Sequence, residues 1–196
     1  VHGPTQSILS TERLVLNTMQ RMSGIATLTH RLNQKIKHTS CTLLDTRKTS
    51  PNFRYPEKWA VQIGGGSNHR MGIFDAIMIK DNHIDYCGGV SQALQKTTIY
   101  LDRLGTPLDV IVECRNQEEI KAALPFPCVN RILLDNFSPE ELKKAVALID
   151  GKKDTEASGN ITEKNLEQYA VTGVNYLSLG ALTYDAKSMD LSLKAL

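Results

Sequence analysis

Apolar and polar positions along the chain fall into two alternating rhythms. Residues 7–37 keep a helical period over the longest stretch. Val15, Met19, Met22 and Ala26 form one apolar stripe, with Ile25, Leu28, Leu32 and Ile36 beside it, which predicts a core-packing helix. Gly24 costs such a helix about 1 kcal/mol relative to alanine, so it points to a close backbone approach. Six short apolar runs follow and predict strands: "CTLLD" (41–45), "AIMIKD" (76–81), "LDVIVEC" (108–114), "RILLDN" (131–136), "DTEASG" (154–159) and "NYLSLGA" (175–181). Helix starts lie between them. Ser138-Pro139-Glu140-Glu141 combines a capping box with proline at the first helical position, Asn116 precedes Glu119, and Thr162 opens "TEKNLEQYA".

Nearly continuous apolar strands alternating with amphipathic helices imply a parallel sheet covered by helices, either a barrel or a doubly wound sheet. The strand ends favour the barrel. Polar residues or glycine sit at the C-terminal end of all six strands, whereas an open sheet gathers its site at one switch point. A full eight-stranded barrel takes ~250 residues. Six strands in 196 residues therefore predict a smaller, open α/β barrel forming one domain, with no repeat or linker dividing it.

Composition narrows the setting. Hydrophobic residues at 41% and charged residues at 22% suit a soluble globular protein. No apolar run approaches the ~18 residues of a membrane span, so a cytoplasmic location is expected. A net charge of +2 and 6% aromatics argue against nucleic acid as a partner. Cys41, Cys87, Cys114 and Cys128 form no C-x-x-C pair and read as reduced and structural. Charge matters locally: residues 45–83 hold six Lys/Arg against four Asp/Glu.

Several of those cations stand at strand ends. Arg47 and Lys48 follow the first strand, His69 and Arg70 follow "GGGSN", and Lys80 closes the second; Arg13 lies on the early helix. Taken singly, each reads as a solvated charge. In a barrel, residues that follow strands share one mouth, and a shared cluster of Arg forks and Lys point charges suits a multiply anionic substrate. Glu113 and Asp135 end two otherwise apolar strands. They read either as ion-pair partners of these cations or as ligands for Mg²⁺ or sugar hydroxyls, reached directly or through water or substrate. "ASGN" (157–160) and "LGAL" (179–182) present small residues where barrels often bind phosphate. "GGGSNHR" is not G-x-G-x-x-G and supports no dinucleotide site. His83 reads as a brace for its loop, and Trp59 as a core or interface anchor.

Together, "ERLVLNTMQRMSGIATLT", "LLDTRKTSP", "EKWAVQIGGGSNHRMGIFDAIMIKDNHI", "ILLDN", "EASGNIT", "LSLGALT" and "MDLSL" resemble, in order, the quinolinate phosphoribosyltransferases, or nicotinate-nucleotide pyrophosphorylases (carboxylating). The similarity spans essentially the whole chain, and the combination of "DTRKT", "GGGSNHR" and "IKDNHI" is specific. The resemblance implies that residues 1–196 are the catalytic open α/β-barrel domain, with 1–38 a long helix leading into it and the family's N-terminal α/β sandwich absent. It implies transfer of a phosphoribosyl group from 5-phosphoribosyl 1-pyrophosphate to quinolinate with Mg²⁺, yielding nicotinate mononucleotide, pyrophosphate and CO2 in NAD biosynthesis.

It also implies roles. Arg13 reaches a neighbouring subunit's site in a homodimer or larger homo-oligomer. Arg47, His69 and Arg70 hold quinolinate, and Thr46, counted with the substrate-binding residues, shapes the turn that orients Arg47 and Lys48. Lys48 and Lys80 serve the substrate anions and the departing pyrophosphate. Glu113 and Asp135 serve ribose hydroxyls and metal. Ser158, Gly159 and Asn160, with Leu179, Gly180 and Ala181, form the phosphate loops. One departure stands out: Ile111 occupies a place where the family often has a second glutamate. Two other readings stay open, a pyrophosphorylase-like paralogue associated with molybdenum transport and a non-catalytic phosphate-binding barrel.

Overall fold

Helix α1 (Thr5–Ile36) buries Leu16, Gly24, Ile25, Thr29, Leu32 and Ile36. In this computed structural model, which describes residues 1–194, that row packs on the rest of the domain. Gly24 meets the expected close approach: a Cβ there would collide with the backbone carbonyl of Lys187. The late segment runs along α1, with Met189 N donating to Gln20 O and Gln20 Nε2 to Leu191 O. The expected stripe of Val15, Met19, Met22 and Ala26 is corrected at its N-terminal end. Val15 and Met19 are half exposed, because the N-terminal half of α1 projects beyond the barrel. Trp59 is no core anchor either, being 54% exposed.

All six strands form: β1 (Thr42–Leu44), β2 (Ala76–Ile79), β3 (Asp109–Cys114), β4 (Arg131–Asp135), β5 (Asp154–Ser158) and β6 (Tyr176–Ser178). They make one sheet in the order β1-β6-β5-β4-β3-β2, with every pair parallel. β1 and β2, consecutive in sequence, lie at opposite edges, so the barrel is open there. The stretch at Ser67 bridges Leu44 along the free edge of β1. Val110, Val112, Cys114, Ile132, Leu134, Ala157 and Leu177 point outward under the helices and form the dry core, so the opposite faces of these strands line the barrel interior.

Around the sheet run α2 (Arg54–Ile63), α3 (Asp81–Cys87), α4 (Val90–Leu104), α5 (Gln117–Ala123), α6 (Pro139–Ile149), α7 (Leu166–Ala170) and α8 (Ala181–Tyr184). The caps at Ser138 and Asn116 form as expected, with Ser138 N donating to Glu141 Oε2 at 2.8 Å and Glu119 N to Asn116 Oδ1 at 2.9 Å. Thr162 opens a turn rather than a helix, since Asn165 takes its amide and α7 starts only afterwards. Among the described residues no helix is long and apolar enough to cross a membrane.

Candidate active site

The turn after β1 is held from below by a buried charge pair. Asp45 is fully buried and accepts from Lys58 Nζ on α2 and from His69 N at 2.8 Å. With its amide oriented to satisfy both neighbours, Asn68 donates to Asp45 Oδ2 at 2.7 Å and to Lys58 O at 2.8 Å. Burial pushes the Asp45 carboxyl up and the Lys58 ammonium down from their ordinary values, each partner pulling the other back. One carboxylate thus latches the "NHR" segment to the end of β1. Thr46 completes the turn, its Oγ1 accepting from Lys48 N at 3.0 Å.

A second buried carboxylate holds the other side of this turn. Glu57 accepts from Arg21 Nε at 2.9 Å, Ser50 N at 3.0 Å and Ser50 Oγ at 2.8 Å. Arg21 also donates to Ala186 O at 2.6 Å and to Thr183 O. Thr183 Oγ1 donates to Lys48 O at 2.8 Å, and a Cβ on Gly180 would lie 2.9 Å from Lys48 Cδ. The ends of β1 and β6 therefore meet at Lys48.

The acidic residues are brought together across the other strand ends. Lys80 Nζ lies 3.5 Å from Glu113 Oε2, joining β2 to β3. Burial raises the Glu113 carboxyl; Lys80 opposes the rise, and the charges of Asp135 and Asp81 add to it. Asp135 Oδ1 accepts from Ser158 Oγ at 2.6 Å, joining β4 to β5, while Asp135 Oδ2 accepts from Asn136 Nδ2 at 2.6 Å. Asn160 Nδ2 donates to Asn136 Oδ1 at 3.0 Å. His83 accepts from Lys80 N at 2.9 Å, the bracing role expected of it, within α3 rather than a loop.

Gly159 closes the "ASGN" turn with φ +88°, and a Cβ there would collide with the Asn136 side chain and lie 2.9 Å from its backbone nitrogen. Gly159→Ala is expected to cost at least about 1 kcal/mol, from the positive φ alone, and to disturb the Asp135–Ser158 contact. Chemical denaturation of the variant, with unchanged m-value, checks this.

Not every expected residue joins the mouth. Arg13 is exposed on the projecting half of α1 and makes no hydrogen bond or ion pair among the described residues. Leu179 is buried with its amide bonded to Leu44 O at 3.0 Å, which leaves Gly180 and Ala181 as the open part of that loop. His69 is buried, its Nδ1 accepting from Arg70 N at 2.7 Å, which places the proton of the neutral ring on Nε2. That nitrogen faces Glu156 Oε1 at 3.4 Å. Glu156 is fully buried; burial would raise its carboxyl, but His69, Arg131 and Ser178 outweigh it and hold it below the ordinary range. Arg131 reaches Glu156 at 2.9 Å and stacks 4.0 Å from the centre of the Tyr176 ring. Beneath this trio, a cavity of about 760 Å³ opens at the opposite end of the barrel, among Ala76, Asp109, Arg131 and Asp154 at the strand starts; His69 and Arg70 form part of its wall.

Lys58, Glu57, Arg21, Arg54 and Glu156 escape a reading of sequence. For Glu57 a signal existed: Glu57, Ala60 and Val61 recur at helical spacing on the buried face of α2. Charge still shows at the two cationic loops. Among the described residues, Arg47, Lys48, Arg54 and Arg70 form no ion pair, although Lys58 and Lys80 do. Burial and the neighbouring charge of Arg47 lower the Arg70 guanidinium.

Residues 25–194 match the family described as "Quinolinate phosphoribosyl transferase, C-terminal domain". The chain belongs to this family. It is 46% identical to the quinolinate phosphoribosyltransferase [decarboxylating] 2b, mitochondrial, of Nicotiana tabacum, over 99% of this chain and 59% of that protein. It is 42% identical to the probable nicotinate-nucleotide pyrophosphorylase [carboxylating] of Bacillus subtilis, over 98% of this chain and 65% of that one. Among solved structures, NadC from Streptococcus pyogenes superposes with a TM-score of 0.91 at 39% identity, over 98% of this chain and 66% of that chain. The nicotinate-nucleotide pyrophosphorylase of Francisella tularensis gives 0.88 at 43% identity, over 96% and 65% respectively. The open parallel barrel expected from the sequence is thus the family's, and the chain spans about three-fifths of the length of the curated relatives it matches.

Proposed function

We propose that this barrel carries the phosphoribosyl transfer of its family: quinolinate and 5-phosphoribosyl 1-pyrophosphate give nicotinate mononucleotide, pyrophosphate and CO2. The observation that carries the reading is the split character of the mouth. Cations that form no ion pair among the described residues gather on the loops after β1 and before β2, with Asp75 offsetting part of the charge of Arg70, and a repelling carboxylate pair stands at the ends of β3 and β4. Arg47 and Arg70 suit a pyridine dicarboxylate, with Thr46 shaping the turn that carries Arg47 and the buried His69 packed behind Arg70. Lys48 and Lys80 suit a pyrophosphate, and Ser158, Gly159, Asn160, Gly180 and Ala181 the 5-phosphate.

Glu113 and Asp135 fit the Mg²⁺ that the family reaction uses. They stand on adjacent strands and repel one another, and Mg²⁺ is typically held by one or two carboxylates plus substrate phosphate oxygens. When bound, the ion supplies charge neutralisation for pyrophosphate. The chain's own residues do the rest. Arg47 and Arg70 orient the pyridine nitrogen toward the anomeric carbon, a positioning effect worth up to about 7–11 kcal/mol. Lys80 stabilises negative charge as the C–O bond to pyrophosphate breaks, so no nucleophilic side chain is needed. The cationic pyridinium then stabilises the electron pair left on C2 as CO2 departs, favoured where bulk water is excluded, and C2 takes up a proton of solvent origin to complete the product.

The site also reads as shared between copies of the chain. Arg13 lies on a stretch of α1 that exposes Leu9, Leu14, Val15 and Met19, which supports a homodimer in which this arginine completes a neighbour's site. Incubating the full-length protein with carboxyl-labelled quinolinate, phosphoribosyl pyrophosphate and Mg²⁺ tests the reading. Labelled CO2 should be released, and nicotinate should not serve as acceptor. Turnover of nicotinate in place of quinolinate would overturn it.

A further inference from the structure

Arg54, the first residue of α2, joins the two cationic loops. Its Nε donates to Thr49 Oγ1 at 3.1 Å, its Nη1 to Met71 O at 3.2 Å and its Nη2 to Arg47 O at 3.5 Å. Thr49 Oγ1 in turn contacts Arg47 O at 3.5 Å. On the far loop, Met71 and Gly72 amides donate to Asp75 at 2.6 and 2.9 Å, and Arg70 Nη1 donates to Ala76 O at 3.1 Å. One planar guanidinium therefore spans the backbone that carries Arg47 and the backbone that follows Arg70. Its partners are carbonyls and a hydroxyl, so among the described residues it forms no ion pair, while Asp75 on the far loop offsets part of the charge of Arg70. Lys48 has a separate anchor through Thr183 and the β6 end.

We propose that Arg54 is a positioning residue that sets the spacing of Arg47 and Arg70 and thereby the fit of the dicarboxylate, without touching either substrate. The role rests on the reading of these two arginines as the quinolinate clamp. Because Lys48 has this further anchor at the β6 end and Lys80 stands apart against Glu113, the pyrophosphate side of the mouth leans less on Arg54. Lysine keeps the charge but is a point donor that cannot span three acceptors in a plane.

In the full-length protein, Arg54→Lys should raise KM for quinolinate by about tenfold or more, by misplacing the clamp. KM for phosphoribosyl pyrophosphate should stay within about twofold, the signature of an interaction confined to one substrate. Thr49→Val, which removes only the hydroxyl bound by Nε, should shift the quinolinate KM in the same direction by a smaller factor and keeps the test open if Arg54→Lys folds poorly. Equal increases in both KM values, or wild-type constants with a lowered melting temperature, would overturn the role. A wild-type protein that fails to turn over quinolinate at all would instead overturn the reading beneath it, so the two failures are distinguishable.

Discussion

Replacing Lys80 by alanine should lower pyrophosphate release by about two to three orders of magnitude, the usual effect of removing one preorganised group that meets developing charge. The fold should survive, because the Lys80 side chain is half exposed and its contact with Glu113 is at 3.5 Å. A second readout follows from that contact. Lys80 restrains a carboxyl that burial and Asp135 already push up. Without the lysine, Glu113 rises further, so the acid limb of the pH–rate profile moves to higher pH. Rates of pyrophosphate release from about pH 5 to 9 check both; full turnover in Lys80→Ala would remove Lys80 from the reaction.

Lys58→Met is the change expected to harm stability most. It leaves Asp45 buried without its cation, and breaking a buried pair from one side costs about 3–5 kcal/mol. The double variant Asp45→Asn with Lys58→Met should regain part of this, since no bare charge remains and the amide oxygen can still accept from His69 N, while its NH2 would face the Asn68 donor. The pH dependence has a definite sign. In Lys58→Met the folded Asp45 carboxyl sits above its unfolded value, so its protonated form is favoured by folding, and that contribution is lost as pH rises through the folded value. The deficit relative to wild type should therefore shrink on acidification toward the ordinary aspartate range. Denaturation midpoints at several pH values measure this, and a deficit that grows in acid would contradict it.

Five of the six strands were legible because each is a short, mostly apolar run followed by polar or small residues, a pattern set by burial on both faces of a parallel sheet, whereas β5 carries only Ala157 as an apolar residue. The grouping of Lys80 with Glu113, and of Asp135 with Ser158, follows from the parallel register that lines up those ends. What resisted reading was buried charge. Lys58 and Glu57 sit side by side in a helix and look solvated, yet their partners are 13 residues away for Lys58 and 36 for Glu57, on other elements. Period alone also misassigned Val15 and Met19. An apolar stripe states that something covers it, without stating that the cover is this domain.

The strand order has a consequence in time. β1 pairs within the sheet only with β6, so the first strand synthesised waits for the last. The anchors of the Arg47–Lys48 turn, at Thr183 and Ala186, emerge later still. Synthesis runs from the N-terminus, and closing such long-range contacts is slow. A growing chain therefore cannot complete the anchoring of the Arg47–Lys48 turn until nearly all of these residues have been made.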